Sequence, residues 1–341
     1  MTLQSVAFSL PLNHTMAVQS GRNHQTLAAS EYYPLHQSTM ILEAGDFARA
    51  IPYLKQAVER NPINVYAQFN LGECYMEVAR RTEDKARARQ LLHLAENAFQ
   101  IVQQLNPDID IIYFKLGKVA LMAEDFENAR GYYAGGARLF RDNPAFAFNL
   151  GRVYDQEGKL DQAIEQYRAA IAIDPGFIYA YNNLGLLYEQ RKQYREAEGA
   201  YAAALKYDPT YNFARLNLGN LLAEQDKMDQ AVKMYEDVLT VEPHNAWAHL
   251  YMGNAFFKQG NYKRAVESYN RSIQDNPSYA TTYYLLAVSL SKLDRMEEAM
   301  AAGLNYMTLE PDGAFSTEVQ NLISTLRYFQ KSAHATDAGK P

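Results

Sequence analysis

A unit of 34 residues recurs along most of this chain and constrains its fold more than any other sequence feature. In its clearest copy, residues 178–211, two groups of apolar side chains recur at helical spacing on either side of a short polar turn. The groups are Leu184, Leu187 and Tyr188, then Ala197, Tyr201 and Ala204. Proline lacks an N–H and restricts the residue before it, so Pro209 predicts the end of the second helix. We predict a helix, a turn and an antiparallel helix, which can bury their apolar stripes only by stacking on neighbouring copies.

Eight copies of the unit can be aligned. They start at residues 31, 65, 110, 144, 178, 212, 246 and 280, and the last ends near Gly313. Each first helix contains a small residue, predicted to let the paired helices approach closely: Ser38, Gly72, Gly117, Gly151, Gly185, Gly219, Gly253 and Ala287. Each second helix contains an alanine: Ala50, Ala95, Ala129, Ala163, Ala197, Ala231, Ala265 and Ala299. Four residues later stands a large residue in seven copies: Leu54, Phe99, Tyr133, Tyr167, Tyr201, Tyr235 and Tyr269.

A proline closes seven of the eight copies: Pro62, Pro107, Pro175, Pro209, Pro243, Pro277 and Pro311. With the Leu-Gly and Ala-x-x-x-aromatic patterns, this chain resembles the tetratricopeptide repeat family over residues 31–313. The resemblance implies an all-α fold, a right-handed superhelical solenoid of about eight helix–turn–helix repeats.

The two ends of the chain differ from the repeats. Residues 1–30 show no helical periodicity, which predicts a flexible N-terminal arm. Residues 314–331 carry an apolar stripe that predicts an amphipathic capping helix. The stripe consists of Val319, Leu322, Ile323, Leu326 and Phe329. Residues 332–341 are predicted to be a disordered tail.

Three repeats depart from the pattern. The repeat at residue 65 has 11 extra residues between its helices, so both helices are expected to project by about a turn and a half. The extra segment is basic, which is typical of a solvated helix face and is also compatible with docking to an acidic partner. Its cations are Arg80, Arg81, Lys85, Arg87 and Arg89. The repeat at 110 has Arg141 at the proline position, predicting a shifted exit, and Gly303 in the last repeat predicts an atypical end unit.

Composition and motifs limit the classes of function that we expect for this chain. The formal charge of −6 argues against nucleic acid as a partner, since phosphate binding favours a basic excess. Cys74 is the only cysteine, so no intrachain disulfide is expected. No transmembrane segment or secretory signal is recognised, which favours a cytoplasmic location. No phosphate-binding loop, zinc-protease motif or nucleophile elbow occurs, so we expect no enzyme activity and no cofactor or metal.

The family resemblance implies a peptide-binding groove lined by the first helices. Counting each repeat's start as position 1, the aromatic groove residues at positions 2, 5 and 6 are Tyr66, Phe69, Phe114, Phe148, Tyr179, Phe213, Trp247 and Tyr251. They suit an apolar, extended peptide, and packing between adjacent repeats is the alternative explanation for each ring.

Asparagines form the second set of groove residues. They are Asn70, Asn149, Asn183 and Asn217 at position 6, Asn182 at position 5, and Asn220 and Asn254 at position 9. A row of side-chain amides can bind any peptide backbone, because an amide both donates and accepts. The row is similar to the asparagine ladder in the repeats of O-GlcNAc transferase. Groove charges are mixed, with a weak gradient from glutamates near the start to lysines near the end: Glu43, Glu73, Glu77, Lys118, Arg152, Asp155, Glu189, Glu224, Lys258 and Lys292.

Three functional hypotheses remain open. The first is a non-catalytic scaffold that binds an extended segment of another protein in its groove. The second is a self-assembling scaffold in which Phe8–Leu12 of the arm enters a neighbour's groove, as stand-alone bacterial repeat proteins of this family, including ones that coat magnetosomes, form homo-oligomers. The third is a targeting subunit of a separately encoded enzyme.

Overall fold

A computed structural model describes the backbone of residues 29–337 and the side chains of residues 33–328. All seventeen secondary-structure elements in the described range are α-helices. The helices group into two compact units that divide between Asp174 and Pro175. Residues 1–28 of the predicted arm and the last four residues lie outside the described range, whereas residues 29 and 30, also predicted to be arm, are helical.

Unit 1 contains four helix pairs. Its helices are α1 (Ala29–Glu43), α2 (Phe47–Arg60), α3 (Val65–Arg80), α4 (Lys85–Leu105), α5 (Asp110–Met122), α6 (Phe126–Leu139), α7 (Pro144–Gln156) and α8 (Leu160–Ile173). Each helix packs on the next, so the core lies between the paired helices and between neighbouring pairs. From α3 onward each first helix begins at the predicted residue, including α7, whose exit is therefore not shifted by Arg141.

Unit 2 contains four further pairs and a final helix. Its helices are α9 (Ile178–Gln190), α10 (Tyr194–Tyr207), α11 (Asn212–Glu224), α12 (Met228–Val241), α13 (Ala246–Lys258), α14 (Tyr262–Asp275), α15 (Ala280–Ser291), α16 (Met296–Leu309) and α17 (Ser316–Asp337). Antiparallel neighbours again pack consecutively through unit 2. The predicted all-α, helix–turn–helix organisation is confirmed in both units.

The glycines of the first helices accommodate a ring from the second helix. In six repeats, a Cβ added to the glycine would lie within 3.0 Å of a ring carbon, and the six rings are nearly or fully buried. The pairs are Gly72–Phe99, Gly117–Tyr133, Gly151–Tyr167, Gly185–Tyr201, Gly219–Tyr235 and Gly253–Tyr269. The small residue therefore makes room for a side chain, where the sequence had predicted close approach of the two helices.

Hydrogen bonds to proline carbonyls connect consecutive repeats at position 4. In two repeats the side chain there donates to the carbonyl of the proline that ends the preceding repeat, which ties the start of one first helix to the end of the previous second helix. The pairs are Gln68 with Pro62, at 2.9 Å, and Arg215 with Pro209. At the same position His249 Nε2 lies 3.2 Å from the Pro243 oxygen.

His249, which contacts the Pro243 carbonyl, is a buried titratable group. Its Nε2 also lies 3.6 Å from Asp275 Oδ2, and its Nδ1 is buried without a hydrogen-bond partner in the described part of the chain. Burial lowers the pKa of His249, although the Pro243 carbonyl and the Asp275 carboxylate oppose that shift. The neutral imidazole is therefore the form that suits the folded protein.

The inserted segment divides unevenly between its two helices. α3 has 16 residues against 13 in α5, and α4 has 21 against 14 in α6. The extensions are thus about one turn and about two turns, so the predicted equal projection was wrong. The cause is Asp84, whose side chain accepts hydrogen bonds from the amides of Ala86 and Arg87 and starts α4 early.

The cap begins and ends later than predicted. α17 runs from Ser316 to Asp337, so residues 332–337, predicted to be tail, are helical. Val319 and Ile323 of α17 lie 3.2–3.3 Å from where a Cβ on Gly303 would stand. The cap thereby occupies the space left by the missing aromatic ring in the last repeat.

Candidate functional site

The first helices of successive repeats lie side by side in each unit. In unit 2, α9 contacts α11, and α11 contacts α13. In unit 1, Lys115 of α5 forms an ion pair with Glu73 of α3 at 2.7 Å. We call the surface formed by α1, α3, α5 and α7, or by α9, α11, α13 and α15, the first-helix face of each unit.

Aromatic residues predicted at position 5 belong mainly to the core. Phe69 is 3% exposed. Phe114 stacks on Phe146 of the next repeat, with ring centroids 4.0 Å apart. Phe148 is half-buried and packs on Tyr167 at 5.6 Å. Packing within and between repeats accounts for these three rings, and only the latter two leave part of their surface on the first-helix face.

Aromatic residues at position 2 are more exposed. Tyr66, Phe213 and Trp247 are 41%, 48% and 39% exposed, and Tyr179 is half-buried. Position 2 lies in the first turn of each first helix, at the edge of the face, where side chains reach solvent. These residues are better placed than those at position 5 to contact a partner.

Four rings form a continuous aromatic ladder along this edge in unit 2. Phe177 and Tyr179 have centroids 5.6 Å apart, Tyr179 and Tyr211 are also 5.6 Å apart, and Tyr211 and Phe213 are 5.8 Å apart. The first two contacts are edge-to-face and the third is tilted, and such contacts hold the rings in defined orientations. The ladder is therefore an ordered apolar surface that ends in the exposed ring of Phe213.

A second aromatic group lies further along unit 2. Trp247 packs on Tyr279 at 4.6 Å and on Tyr251 at 5.8 Å. Phe177, Tyr211 and Tyr279 were not among the predicted site residues. Each immediately precedes a first helix, and counting only positions within the helices missed them.

The asparagines of unit 2 form a connected row. Asn217 Nδ2 donates to Asn182 Oδ1 at 2.9 Å, and Asn182 Nδ2 donates to Asn183 Oδ1 at 3.4 Å. Asn182 is buried, whereas Asn183 and Asn217 are half-buried. The structure thus brings these three predicted residues together, with each amide oriented by its neighbour.

The asparagines of unit 1 bond mainly to their own helices. Asn70 Nδ2 donates to the Tyr66 carbonyl at 2.9 Å, and Asn149 Nδ2 donates to the Ala145 carbonyl at 2.7 Å. Arg152 also donates to Asn149 Oδ1. These bonds fix the amides but do not link them into a row.

Asn220 and Asn254 have a different environment. Each accepts a hydrogen bond of 2.8 Å from the hydroxyl of the buried tyrosine that packs on the preceding glycine, Tyr235 and Tyr269 respectively. Their carbonyl oxygens thus satisfy a buried hydroxyl, so these two predicted site residues have a clear role in stabilising the repeat.

Charges on the first-helix face differ between the repeats. Burial and the nearby Lys115 lower the pKa of Lys118 in unit 1. In unit 2, Glu189 and Glu224 lie at the ends of α9 and α11, whereas Lys258 and Lys292 lie at the ends of α13 and α15. In unit 2 these charges are therefore acidic in the first two repeats and basic in the next two, whereas Lys118 interrupts the acidic part in unit 1.

A separate cavity of about 420 Å³ lies between α12, α13 and α14. Its lining is mixed in charge and includes Glu236, Glu267, Arg264 and Arg271. None of the predicted groove residues lines it. It therefore lies apart from the aromatic ladder and the asparagine row.

Metal ligands, the single thiol and helix hydropathy can be described for residues 29–337. No group of three or more His, Cys, Asp or Glu side chains among them is placed to hold a metal ion. Burial raises the pKa of the Cys74 thiol to about 12, which disfavours the reactive thiolate. No helix within residues 29–337 combines the length and hydropathy needed to cross a membrane.

Family models of this repeat match most of the chain. Models described as TPR repeat match residues 151–192 and 253–294. Models described as Tetratricopeptide repeat match residues 42–100, 84–144, 188–251, 222–272 and 280–312. No curated protein matches the sequence.

Several solved structures share the fold. Yeast Tom70 is similar over 84% of this chain and 60% of its own, with 15% identity and a TM-score of 0.62. The APC/C hetero-tetramer Cut9-Hcn1 is similar over 86% of this chain, with 15% identity and a TM-score of 0.55, and the match spans only 55% of that chain. Pseudomonas aeruginosa pilF is similar over 62% of this chain and 96% of its own, with 23% identity and a TM-score of 0.54. At these identities the likeness shows the fold alone.

Proposed function

This chain belongs to the tetratricopeptide repeat proteins, and we propose that it is a non-catalytic scaffold whose first-helix faces bind an extended segment of a partner protein. The observation that carries the proposal is the aromatic ladder of unit 2, which presents Phe213 at 48% exposure beside a row of oriented asparagines. Aromatic side chains are common anchors at binding interfaces, and extended peptides are also held by hydrogen bonds to their backbone.

The two sets of residues would contact different parts of a peptide. Exposed rings offer apolar area for side chains at little entropic cost, since each ring is already oriented. The amides of Asn183 and Asn217 can exchange their present partners for the peptide backbone, because each amide can both donate and accept. Recognition would thus combine apolar anchoring with backbone bonds that depend little on the peptide sequence.

A peptide selection followed by calorimetry tests this proposal. Dodecapeptides selected from a random display library on the full chain would be titrated against Asn183→Ala/Asn217→Ala and against Phe213→Ala. A buried peptide group left unpaired costs about 1–3 kcal/mol, so the double variant should bind about tenfold more weakly or worse.

A matched control distinguishes binding at the first-helix face from the effect of removing any exposed aromatic ring. Tyr194 is 38% exposed, similar to Trp247, but lies at the start of the second helix α10. Tyr194→Ala should leave the affinity unchanged. Equal losses for Tyr194→Ala and Phe213→Ala, or no loss in the asparagine variant, would contradict binding at the first-helix face.

A further inference from the structure

Two buried polar atoms near the end of α9 lack hydrogen-bond partners. They are Glu189 Oε1 and the Tyr201 hydroxyl, which lie beside each other without a hydrogen bond of normal geometry and have no other hydrogen-bond partner among the described residues. The Tyr201 side chain is fully buried, and its ring packs on Gly185, one helical turn before Glu189. Buried polar atoms are nearly always bonded in native proteins, so this pair points to a partner that the chain itself does not supply.

Neighbouring repeats show how this hydroxyl is usually satisfied. Tyr235 and Tyr269 occupy the position of Tyr201, and their hydroxyls donate to Asn220 and Asn254. The corresponding residue in this repeat is Leu186, which cannot accept a hydrogen bond. The hydroxyl of Tyr201 is consequently left beside the Glu189 carboxylate without the acceptor present in the next two repeats.

The electrostatics of the pair favour a cation. Burial raises the pKa of Glu189, the Glu224 carboxylate raises it further, and the Tyr201 hydroxyl partly opposes these effects without forming a hydrogen bond of normal geometry. Neither glutamate is among the carboxylates that form ion pairs within residues 33–328. Two unpaired carboxylates near each other are stabilised by a positive charge placed between them.

We propose that Glu189, Glu224 and Tyr201 form a site for a lysine or arginine side chain of the bound peptide. Ammonium and guanidinium groups carry only donors, and this site offers two carboxylates and a hydroxyl oxygen that can accept from them. The proposal rests on the peptide-binding function and specifies the chemistry of the partner: a basic residue near unit 2, where an unselective groove would take any side chain.

The positions along α9 suggest the spacing of the peptide. Tyr179 of the aromatic ladder and Glu189 lie ten residues apart on α9, or about 15 Å along its axis. An extended chain advances about 3.3 Å per residue, so roughly four to five residues span that distance. The structure therefore favours peptides with an apolar residue about four or five positions from a basic one.

Peptide selection on matched variants tests the site. The same random dodecapeptide library would be selected on the wild type, on Glu189→Gln/Glu224→Gln, and on Glu196→Gln/Glu198→Gln, which removes two charges from the second helix α10. Peptides from the wild type and the α10 control should be enriched in lysine or arginine, and the enrichment should disappear with Glu189→Gln/Glu224→Gln. A wild-type peptide should bind that variant at least about tenfold more weakly.

The outcomes separate this inference from the proposed function. Peptides that bind through Asn183 and Asn217 but show no basic enrichment, or the same enrichment on every variant, would overturn the cation site and leave the groove. If no peptide is selected, the groove proposal fails, and a titration with n-butylammonium chloride then decides the cation site by itself.

That titration follows the ¹³C carboxyl signal of Glu189, assigned by its absence in Glu189→Gln. We expect a saturable shift with n-butylammonium, which mimics a lysine side chain, beyond that caused by sodium chloride at equal ionic strength. Identical responses to the two salts would overturn the site. Leu186→Asn, which supplies the acceptor seen in the neighbouring repeats, should weaken the n-butylammonium response severalfold while the carboxylates remain in place.

Discussion

Gly253→Ala tests whether ring accommodation defines the geometry of each repeat. A Cβ at this position would lie 2.5 Å from a ring carbon of Tyr269, whose side chain is fully buried and donates a 2.8 Å hydrogen bond to Asn254. Ordinary contacts between carbon atoms are about 3.5–4.0 Å, so the ring must move by roughly 1 Å.

The size of the effect follows from three terms. Overpacking a core costs about 1–3 kcal/mol, and losing the tyrosine hydrogen bond costs about 1 kcal/mol. Alanine in a helix interior gains about 1 kcal/mol over glycine. We therefore expect Gly253→Ala to lower the free energy of unfolding by about 1–3 kcal/mol, against the sign of its helix propensity.

Urea unfolding, monitored by far-UV circular dichroism, measures the free energy of unfolding of the whole chain. The fluorescence of Trp247, the only tryptophan, reports on the same first helix that contains Gly253. The control is Gly199→Ala, in the interior of α10 with no atom within 4 Å of its added Cβ, which should gain about 0.5–1 kcal/mol. If Gly253→Ala stabilises the protein as much as Gly199→Ala does, the ring does not occupy the space above Gly253 and the reasoning fails.

Three further predictions follow from other features. Because burial lowers the pKa of His249, its contribution to stability is fully present above the ordinary histidine pKa of about 6.5 and is lost as the pH falls below it. His249→Gln, which can donate to Pro243 as Gln68 does to Pro62, should reduce the difference in urea midpoint between about pH 8 and about pH 5.5. An unchanged difference would mean that another titrating group causes the pH dependence. Leu186→Asn should raise the free energy of unfolding by about 0.5–1.5 kcal/mol, measured by urea unfolding, since it gives Tyr201 an acceptor; no gain would mean that Tyr201 is already satisfied. Residues 1–341 and residues 29–341 should have the same oligomeric state across a concentration series, measured as the light-scattering mass divided by the mass of one chain; a higher oligomeric state for the long form alone would favour self-assembly through the arm.

The repeat boundaries were predictable because their signals act locally. Proline ends a second helix through its own ring and missing N–H, whatever lies around it, so Pro209 placed the end of α10 and the start of α11 within a few residues. The structure of the 11-residue insertion was harder to predict. Its 11 residues set the total length, but the cap formed by Asp84 decided how that length was shared between α3 and α4.

The candidate site was predictable only in part, because exposure depends on neighbours that a position number does not include. Phe69 and Phe213 are both aromatic residues of first helices, yet one is buried in the core and the other is exposed at the edge of its face. Tyr211 was not predicted as a groove residue because it precedes the helix, although its ring lies between those of Tyr179 and Phe213. Contacts between repeats, which the period alone does not specify, separate the rings that pack from the rings that are available for binding.

The repeat at residue 178 departs from the regular pattern at Leu186. Six repeats share the glycine and the ring, so those residues establish that a repeat folds without indicating what it binds. Leu186 differs because it leaves a buried hydroxyl and a carboxylate unpaired where the next two repeats have an asparagine. If that difference were only a packing defect, Leu186→Asn would add stability and leave cation binding unchanged. If it creates a binding site, the same substitution should add stability and weaken cation binding together, so measuring both quantities on one variant distinguishes a flaw in the repeat from a functional feature of it.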